Sequence, residues 1–262
     1  MIVEARWADE KLERLPALIA DALALKPAVI VTHGSAAVAA LQKATSSTPV
    51  VFASAGDPVG QGFVASFRKP GANITGIAFN EEIHNKLYEL VKLVLPATSR
   101  IATLANPNNP ATPHYLEIAQ SATKALGIEL LVLNATNAAG LEPAFVKAVA
   151  TGAHALVVSP IAPFISLRAQ IVELQFKYRL PTFHGVREGV DAGGIASYSF
   201  PHEENYRRAA ALVDQILKGR SPAAIPVEIP TKYEIAINLK SAQVLGLPVP
   251  RGVLLRADKV IE

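Results

Sequence analysis

Short β-branched runs alternate with longer helical stretches along this chain, and the alternation restricts the folds open to it. One such run, 74–77, precedes a stretch in which apolar residues recur at i, i+4, i+7, i+8 and i+11 from Ile83, which is the spacing of one helical face. Strand and helix together repeat every ~25–30 residues, which predicts βαβ units, parallel sheets and right-handed crossovers. The predicted fold class is therefore α/β, with parallel sheets flanked by helices.

The same pattern covers the rest of the chain. Predicted strands lie at 28–32, 49–53, 74–77, 100–105, 129–133, 155–159, 181–184, 194–200 and 233–238. Predicted helices lie at 35–43, 81–95, 112–126, 141–150, 166–178, 203–218 and 239–245. Apolar residues make up 50% of the chain and charged residues 18%. This composition supplies material for packed cores and has too little charge for a disordered chain.

Charge and cysteine content exclude several classes of protein. The net charge is +3, and the densest basic pairs, 68–69 and 207–208, do not alternate with aromatic residues. We therefore expect no nucleic-acid partner. There are no cysteines, which excludes disulfides, thiolate metal sites and a cysteine nucleophile. No apolar run approaches the ~20 residues that cross a bilayer.

The sequence lacks the motifs of common enzymes. It has no G-x-x-x-x-G-K-[ST] phosphate loop, and Gly56, Gly60 and Gly62 do not fit G-x-G-x-x-G. The run 33–37 lacks the second glycine of the hydrolase elbow G-x-S-x-G. The six histidines show no metal-ligating spacing, so we interpret them as surface or hydrogen-bonded loop residues. We expect no catalytic residue, no metal and no cofactor.

Polar residues follow the predicted strands at five places, which are 33–35, 54–57, 106–109, 159–161 and 184–188. Ligands of open parallel sheets bind at the carboxyl ends of the strands, so these places together form a candidate binding site. Gly34 and Ser35 also begin a predicted helix, whose free N–H groups favour an anion such as a carboxylate.

Each of these polar groups also has a purely structural interpretation. Ser35 and Asn106 are common types of helix N-cap. Asp57, which precedes a proline, suits a turn. Arg187 and Glu188 suit a solvated surface pair. The residues alone leave the structural and the ligand-binding interpretation open.

Several segments, in order along nearly the whole chain, resemble one family. They are VF at 51–52, GDPV at 56–59, GFVAS at 62–66, RKPGANITG at 68–76, NPNNP at 106–110, GGIASY at 193–198, ILKG at 216–219, PTKYE at 230–234, NLK at 238–240 and ADKVIE at 257–262. In them the chain resembles the ABC-transporter substrate-binding protein family, which includes the tryptophan- and tyrosine-binding proteins. The resemblance implies a two-lobed type I periplasmic-binding-protein fold with the ligand in the cleft between the lobes.

The resemblance also implies how the chain is divided. Lobe 1 combines residues 1–78 with 199–228, and lobe 2 combines 79–198 with 229–262. The chain then crosses between lobes near Ala78, Tyr198 and Ile229.

The N-terminus departs from the family pattern. Residues 4–9 resemble the family's second strand, and 1–6 show no signal peptide. We therefore expect an N-terminally truncated chain that lacks the first βα unit. If the chain is instead complete, the sequence predicts a cytoplasmic protein. The gap left in lobe 1 would be closed by re-pairing of the sheet, by a second copy in a homodimer, or by a longer gene product.

For function, the resemblance implies the solute-binding component of an ABC-type importer rather than an enzyme, in the periplasm or anchored outside the membrane. Its partners are a small carboxylate-bearing ligand, expected to be an amino acid and captured by hinge closure, and the membrane permease. The predicted ligand-binding residues are Gly34, Ser35, Asp57, Asn106, Asn109, Ser159, Arg187, Glu188 and Tyr198. Two alternatives to this function are a cytoplasmic small-molecule sensor with the same fold, and an isomerase- or racemase-type enzyme.

Overall fold

The structure is a computed structural model that describes residues 2–9, 11–79, 82–161 and 163–262. Its strands are β1 (Ile30–Thr32), β2 (Val50–Ala55), β3 (Ile74–Ala78), β4 (Arg100–Ala105), β5 (Glu129–Asn134), β6 (Ala155–Val158), β7 (Thr182–His184), β8 (Ala196–Ser199), β9 (Glu234–Asn238) and β10 (Lys259–Ile261). Its helices are α1 (Leu15–Ala24), α2 (Ser35–Ala44), α3 (Glu82–Val94), α4 (Thr112–Ala125), α5 (Leu141–Ala150), α6 (Arg168–Tyr178), α7 (Arg187–Asp191), α8 (His202–Leu217), α9 (Leu239–Leu245) and α10 (Arg251–Leu254).

The α/β fold class predicted from the sequence is confirmed, and the predicted strands and helices are present with ends within two residues of the expected ones. Helix α1 was not predicted from the sequence, although Leu15, Ile19 and Leu23 share one helical face and pack into the core of their unit. The expectation of a strand-like segment at 4–9 is wrong, because the chain forms no strand there.

Two compact units make up the chain. Unit 1 comprises residues 1–80, 109–111 and 202–231, and unit 2 comprises 81–108, 112–201 and 232–262. The lobe boundaries and crossovers implied by the family resemblance stay a prediction.

Unit 1 is built on three parallel strands in the order β1–β2–β3. Every residue of β2 is buried, because helices cover both of its faces. On one face Val50 and Phe52 pack with residues of α1 and α2. On the other face Val51 and Ala53 pack with residues of α8. The alternation of side chains along β2 thus feeds two small cores.

Unit 2 is built on a seven-stranded sheet in the order β10–β9–β8–β7–β6–β4–β5. All neighbouring strands are parallel except β8 and β9, which are antiparallel. Ile101 and Val157 face a core that includes α3 and α4, and Leu104 and Leu156 face a core that includes α5 and α6. None of the helices in the described ranges has both the length and the apolar character needed to span a membrane.

Candidate functional site

The carboxyl end of β1 leads directly into the amino terminus of α2. The linking residue, Gly34, has φ 86° and ψ 143°, a conformation that glycine adopts far more readily than other residues. Its N–H donates to the Ser54 carbonyl at 2.8 Å. The amides of Ser35 and Ala36 follow in the first turn and have no acceptor within the helix. Together with the helix dipole, they make this end of unit 1 favourable for an anion.

Ser35 is not the N-cap of α2, as one interpretation of the sequence had it, because Gly34 occupies that position. The Ser35 side chain instead connects α2 to the segment after β2. Its Oγ accepts from the Gly56 N–H at 3.2 Å and from Gln61 Nε2 at 3.4 Å. The residue is 4% exposed. The structure therefore brings Ser35 together with Gln61, which the sequence analysis did not single out.

Asp57 closes a turn at this end of unit 1. Its φ is 38°, which is uncommon for a residue other than glycine, and its Oδ1 accepts from the Gly60 N–H at 2.8 Å. A Cβ on Gly60 would lie 1.9 Å from Asp57 Oδ2, so the carboxylate lies directly against that glycine. These contacts agree with the turn interpretation, and a ligand role for Asp57 stays a prediction.

The strand ends of unit 2 are held by local hydrogen bonds. Asn106 Oδ1 accepts from the Asn108 N–H at 3.0 Å, and the Asn106 carbonyl accepts from Thr112 Oγ1 at 2.6 Å. Ser159 Oγ donates to the Leu104 carbonyl at 3.2 Å. Asn106 and Ser159 are each 1% exposed. The Asn106 side chain therefore fixes its own turn, and the Ser159 side chain ties the end of β6 to the neighbouring strand β4. Their ligand roles stay predictions.

Asn109 belongs to unit 1 by its contacts, and its Oδ1 accepts from the Ala111 N–H at 2.9 Å. This is the same kind of side-chain turn as that of Asn106. A ligand role for Asn109 would use the amide N–H groups and the second lone pair that this turn does not occupy.

Arg187 begins α7 and takes part in ion pairs. Its guanidinium lies 3.5 Å from Glu234 Oε2 and 3.3 Å from Asp191 Oδ2. The carboxylate of Glu234, more than that of Asp191, raises the pKa of Arg187 above its usual value. Lys259 also reaches Asp191 at 2.7 Å. The ion pairs of Arg187 are thus made with Asp191 and Glu234, and not with Glu188 as the structural interpretation of the sequence had it. Ligand roles for Arg187 and for Glu188, which follows it in α7, stay predictions.

Two aromatic groups lie at strand ends. In unit 2 the Tyr198 ring stacks on Tyr233 with centroids 6.0 Å apart and an interplanar angle of 22°. In unit 1 the His33 ring stacks on Tyr206 at 6.0 Å and meets His202 edge-on at 5.5 Å. Burial raises the pKa of Tyr206. The group of His33, His202 and Tyr206 joins residues far apart in the sequence, so no local sequence pattern predicted it.

The interpretation of the histidines as surface or loop residues is wrong for His84 and His184, which lie in the core of unit 2. Desolvation lowers the pKa of each to about 3. His184 Nε2 lies 2.8 Å from Thr182 Oγ1, which in turn donates to Gln175 Oε1 at 2.7 Å. Because the Thr182 hydroxyl proton is used on Gln175, Nε2 must carry the proton shared with Thr182.

A close fit surrounds the His184 ring. A Cβ added at Gly189 would lie 2.2 Å from its Nδ1, and one at Gly194 would lie 2.4 Å from its Nε2. The His184 ring thus fills a space that is open only because residues 189 and 194 are glycines. The ring packs in the core beneath the end of β7. Among the described residues no group of three or more His, Cys, Asp or Glu side chains is placed to hold a metal ion.

Matches to known proteins assign the chain to a family. The sequence profile of the family described as "ABC transporter substrate binding protein" matches residues 3–261. A tyrosine-binding protein of Clostridioides difficile (strain R20291) is 23% identical over 208 residues, which are 79% of this chain and 60% of that protein. The match thus spans less than two thirds of the relative's length.

Two solved structures share the fold. A conserved domain protein from Vibrio cholerae O1 biovar El Tor strain N16961 has a TM-score of 0.90 at 25% identity, covering 95% of this chain and 84% of that one. An ABC domain in complex with L-Trp from Streptococcus pneumoniae has a TM-score of 0.89 at 23% identity, covering 96% of this chain and 84% of that one. Since the family profile extends over nearly the whole sequence, the chain belongs to the ABC transporter substrate-binding protein family.

Proposed function

We propose that this protein is the solute-binding component of an ABC-type importer and that its ligand is a small carboxylate, most simply an α-amino acid. The observation that carries the proposal is the amino terminus of α2, where the amides of Ser35 and Ala36 follow the left-handed Gly34. The first turn, Ser-Ala-Ala-Val, contains no acidic side chain that would compete with an anion. The names of two relatives, one tyrosine-binding and one solved with L-Trp, agree with an amino acid.

In this proposal the predicted site residues divide by chemistry. Gly34 and Ser35 hold the ligand carboxylate, and Asp57 accepts from its ammonium. Hydrogen bonds and further charge come from the other predicted residues, namely Asn106, Asn109, Ser159, Arg187 and Glu188, and the Tyr198 ring stacks on the ligand. The side chains that close turns, Asp57 among them, keep unused lone pairs or N–H groups for this purpose.

The proposed working cycle is hinge closure of two lobes on the ligand, followed by docking of the closed form on a membrane permease. Ligand stabilises the closed state only by its higher affinity for that state. We propose a periplasmic or membrane-anchored extracellular location, and no turnover, so that bound ligand is recovered chemically unchanged.

A thermal-shift screen of the purified chain against the common amino acids tests this proposal. A ligand at a hundred times its Kd adds about 2.7 kcal/mol, which corresponds to a Tm increase of several degrees for a chain of this size. We expect one or a few amino acids to give this shift, and their carboxamides to give almost none because the anion is lost. No shift with any amino acid would contradict the proposed ligand class, and equal shifts with acid and carboxamide would contradict the carboxylate site.

We also propose that unit 1 forms a homodimer through strand β1. This strand is at the edge of the three-stranded sheet, and its central residue, Val31, is 46% exposed. An edge of this kind is a template for another strand. Light scattering is expected to show a dimer for the native chain and a monomer for Val31→Lys, and a native chain that is monomeric at all concentrations would refute the dimer.

A further inference from the structure

Gln61 carries a buried acceptor that no donor in the described part of the chain reaches. Its Nε2 donates to the Gly56 carbonyl and lies 3.4 Å from Ser35 Oγ. Its Oε1 is shielded from solvent, and no hydrogen-bond donor among the described residues reaches it. Buried polar atoms in folded proteins nearly always have a hydrogen-bond partner, so a buried acceptor without one calls for an explanation.

The orientation of the Gln61 amide follows from its neighbours. An amide nitrogen and oxygen are exchanged by a half-turn of the group. The Gly56 carbonyl is only an acceptor, so it requires the amide nitrogen, and the exchanged orientation would set two oxygens against each other. Exchanging the amide nitrogen and oxygen of Gln61 therefore does not remove the unused acceptor.

The backbone around Gln61 is also fixed. The Gln61 N–H donates to the Asp57 carbonyl at 3.0 Å, within the turn that Asp57 closes on Gly60. On the outer side, Gln42 Nε2 donates to the Gly62 carbonyl. These contacts fix the backbone on both sides of Gln61, and its Nε2 bond to the Gly56 carbonyl orients the side chain. The arrangement keeps the acceptor bare, which costs free energy in the absence of a partner.

We infer that Gln61 Oε1 accepts a hydrogen bond from the ammonium or amino group of the bound ligand, as a second acceptor beside Asp57. This inference rests on the proposed function and adds to it a second, named acceptor for the ammonium of an α-amino acid. Ser35 links the two parts of the site, because its amide belongs to the first turn of α2 and its Oγ contacts Gln61. An α-amino acid carries its carboxylate and ammonium on one carbon, which suits an anion site and an acceptor this close together.

Calorimetric titration of three proteins with paired probes tests the inference. The proteins are the native chain, Gln61→Leu and Gln42→Leu. The probes are L-tryptophan and L-tyrosine, and their deaminated analogues indole-3-propionic acid and 3-(4-hydroxyphenyl)propionic acid. Gln42→Leu is the matched control, because it removes a glutamine bond to the same turn from an exposed position.

We expect Gln61→Leu to weaken binding of the amino acid by about tenfold or more and to leave binding of the deaminated analogue within about twofold. Gln42→Leu should change neither by more than about twofold. If Gln61→Leu does not fold, as judged by circular dichroism, the unbranched Gln61→Met replaces it in the same titrations.

Three outcomes would overturn the inference. An unchanged affinity of the Gln61 variant for the amino acid would show that Oε1 makes no ligand contact. Equal loss for both members of a probe pair would show that Gln61 only supports the turn. Absence of binding to any of the four probes by the native chain would contradict the proposed function as well, which separates that failure from the other two.

Discussion

The carboxyl ends of the strands are built differently in the two units. In unit 2 the side chains of Asn106, Ser159 and His184 are buried and hydrogen-bonded to groups of their own unit. In unit 1 the amide of Ser35 opens a helix, and Gln61 Oε1 meets no donor in the described part of the chain. Both sheets present polar residues at the same kind of edge, and each leaves a buried side-chain atom there without a partner among the described residues. In unit 2 this atom is Ser199 Oγ at the end of β8, whereas in unit 1 it is Gln61 Oε1, whose side chain contacts Ser35 in the first turn of α2.

This difference separates two uses of polar residues at strand ends. Parallel topology gathers polar turns at one edge of every such sheet, so their presence alone does not indicate a binding site. A binding site needs donors or acceptors that the fold does not consume. Unit 1 offers the stronger candidate site, because its unused acceptor on Gln61 lies beside the first-turn amides of α2. In unit 2 the buried side chains of Asn106, Ser159 and His184 mainly hold the fold.

The largest expected effect is acid destabilisation through the buried histidines of unit 2. Burial lowers the pKa of His84 and of His184 from 6.5 to about 3. Between these values the unfolded chain binds more protons, so stability falls as pH falls below 6.5. The expected loss at pH 5 is about 2 kcal/mol for each histidine. Urea unfolding at pH 7.5 and pH 5 measures it.

The variant His184→Gln sharpens this test. It should lose about half of the difference between the two pH values, because His84 still titrates. Native protein with the same free energy of unfolding at pH 5 and pH 7.5 would show that these histidines are not held neutral by the core.

Much of this contrast between the two units could not be predicted from the sequence. Breaker residues and β-branched runs predicted the strand ends, including 33–35 and 106–109, because these signals are local. The pairing of Ser35 with Gln61 joins residues 26 positions apart, and no periodicity encodes it. His184 looked like another polar strand end, since the glycines that enclose it in the core come later in the chain, Gly189 within α7 and Gly194 after it.

The next largest effect is expected in ligand affinity, from Asp57→Asn in unit 1. The substitution keeps an oxygen for the Gly60 N–H but removes the charge proposed to meet the ligand ammonium. Hydrogen bonds to charged groups contribute about 1.5–3 kcal/mol, so affinity for the amino acid found in the thermal screen should fall at least tenfold. Calorimetry that shows a change of no more than about twofold would restrict Asp57 to its turn.

A smaller effect is expected on stability from Gly194→Ala in unit 2. The new Cβ would lie 2.4 Å from the His184 ring, and overpacking of this kind costs about 1–3 kcal/mol. The double variant His184→Ala with Gly194→Ala should show a coupling between the two positions. Gly252→Ala is the control, because a Cβ there meets nothing within 4 Å. Equal urea midpoints for Gly194→Ala and Gly252→Ala would mean that the ring is not tightly enclosed.

The smallest effect is expected from Arg187→Gln at the surface of unit 2. Its partners Asp191 and Glu234 are partly exposed, and exposed ion pairs contribute about 0.2–1 kcal/mol. The loss of stability should therefore be below about 1 kcal/mol at low salt and smaller at high salt. Lys218→Gln, which removes an exposed pair with Asp214 on α8, is the matched control. A tenfold loss of ligand affinity from Arg187→Gln but not from Lys218→Gln would break the contrast, because unit 2 would then also direct a charged group at the ligand.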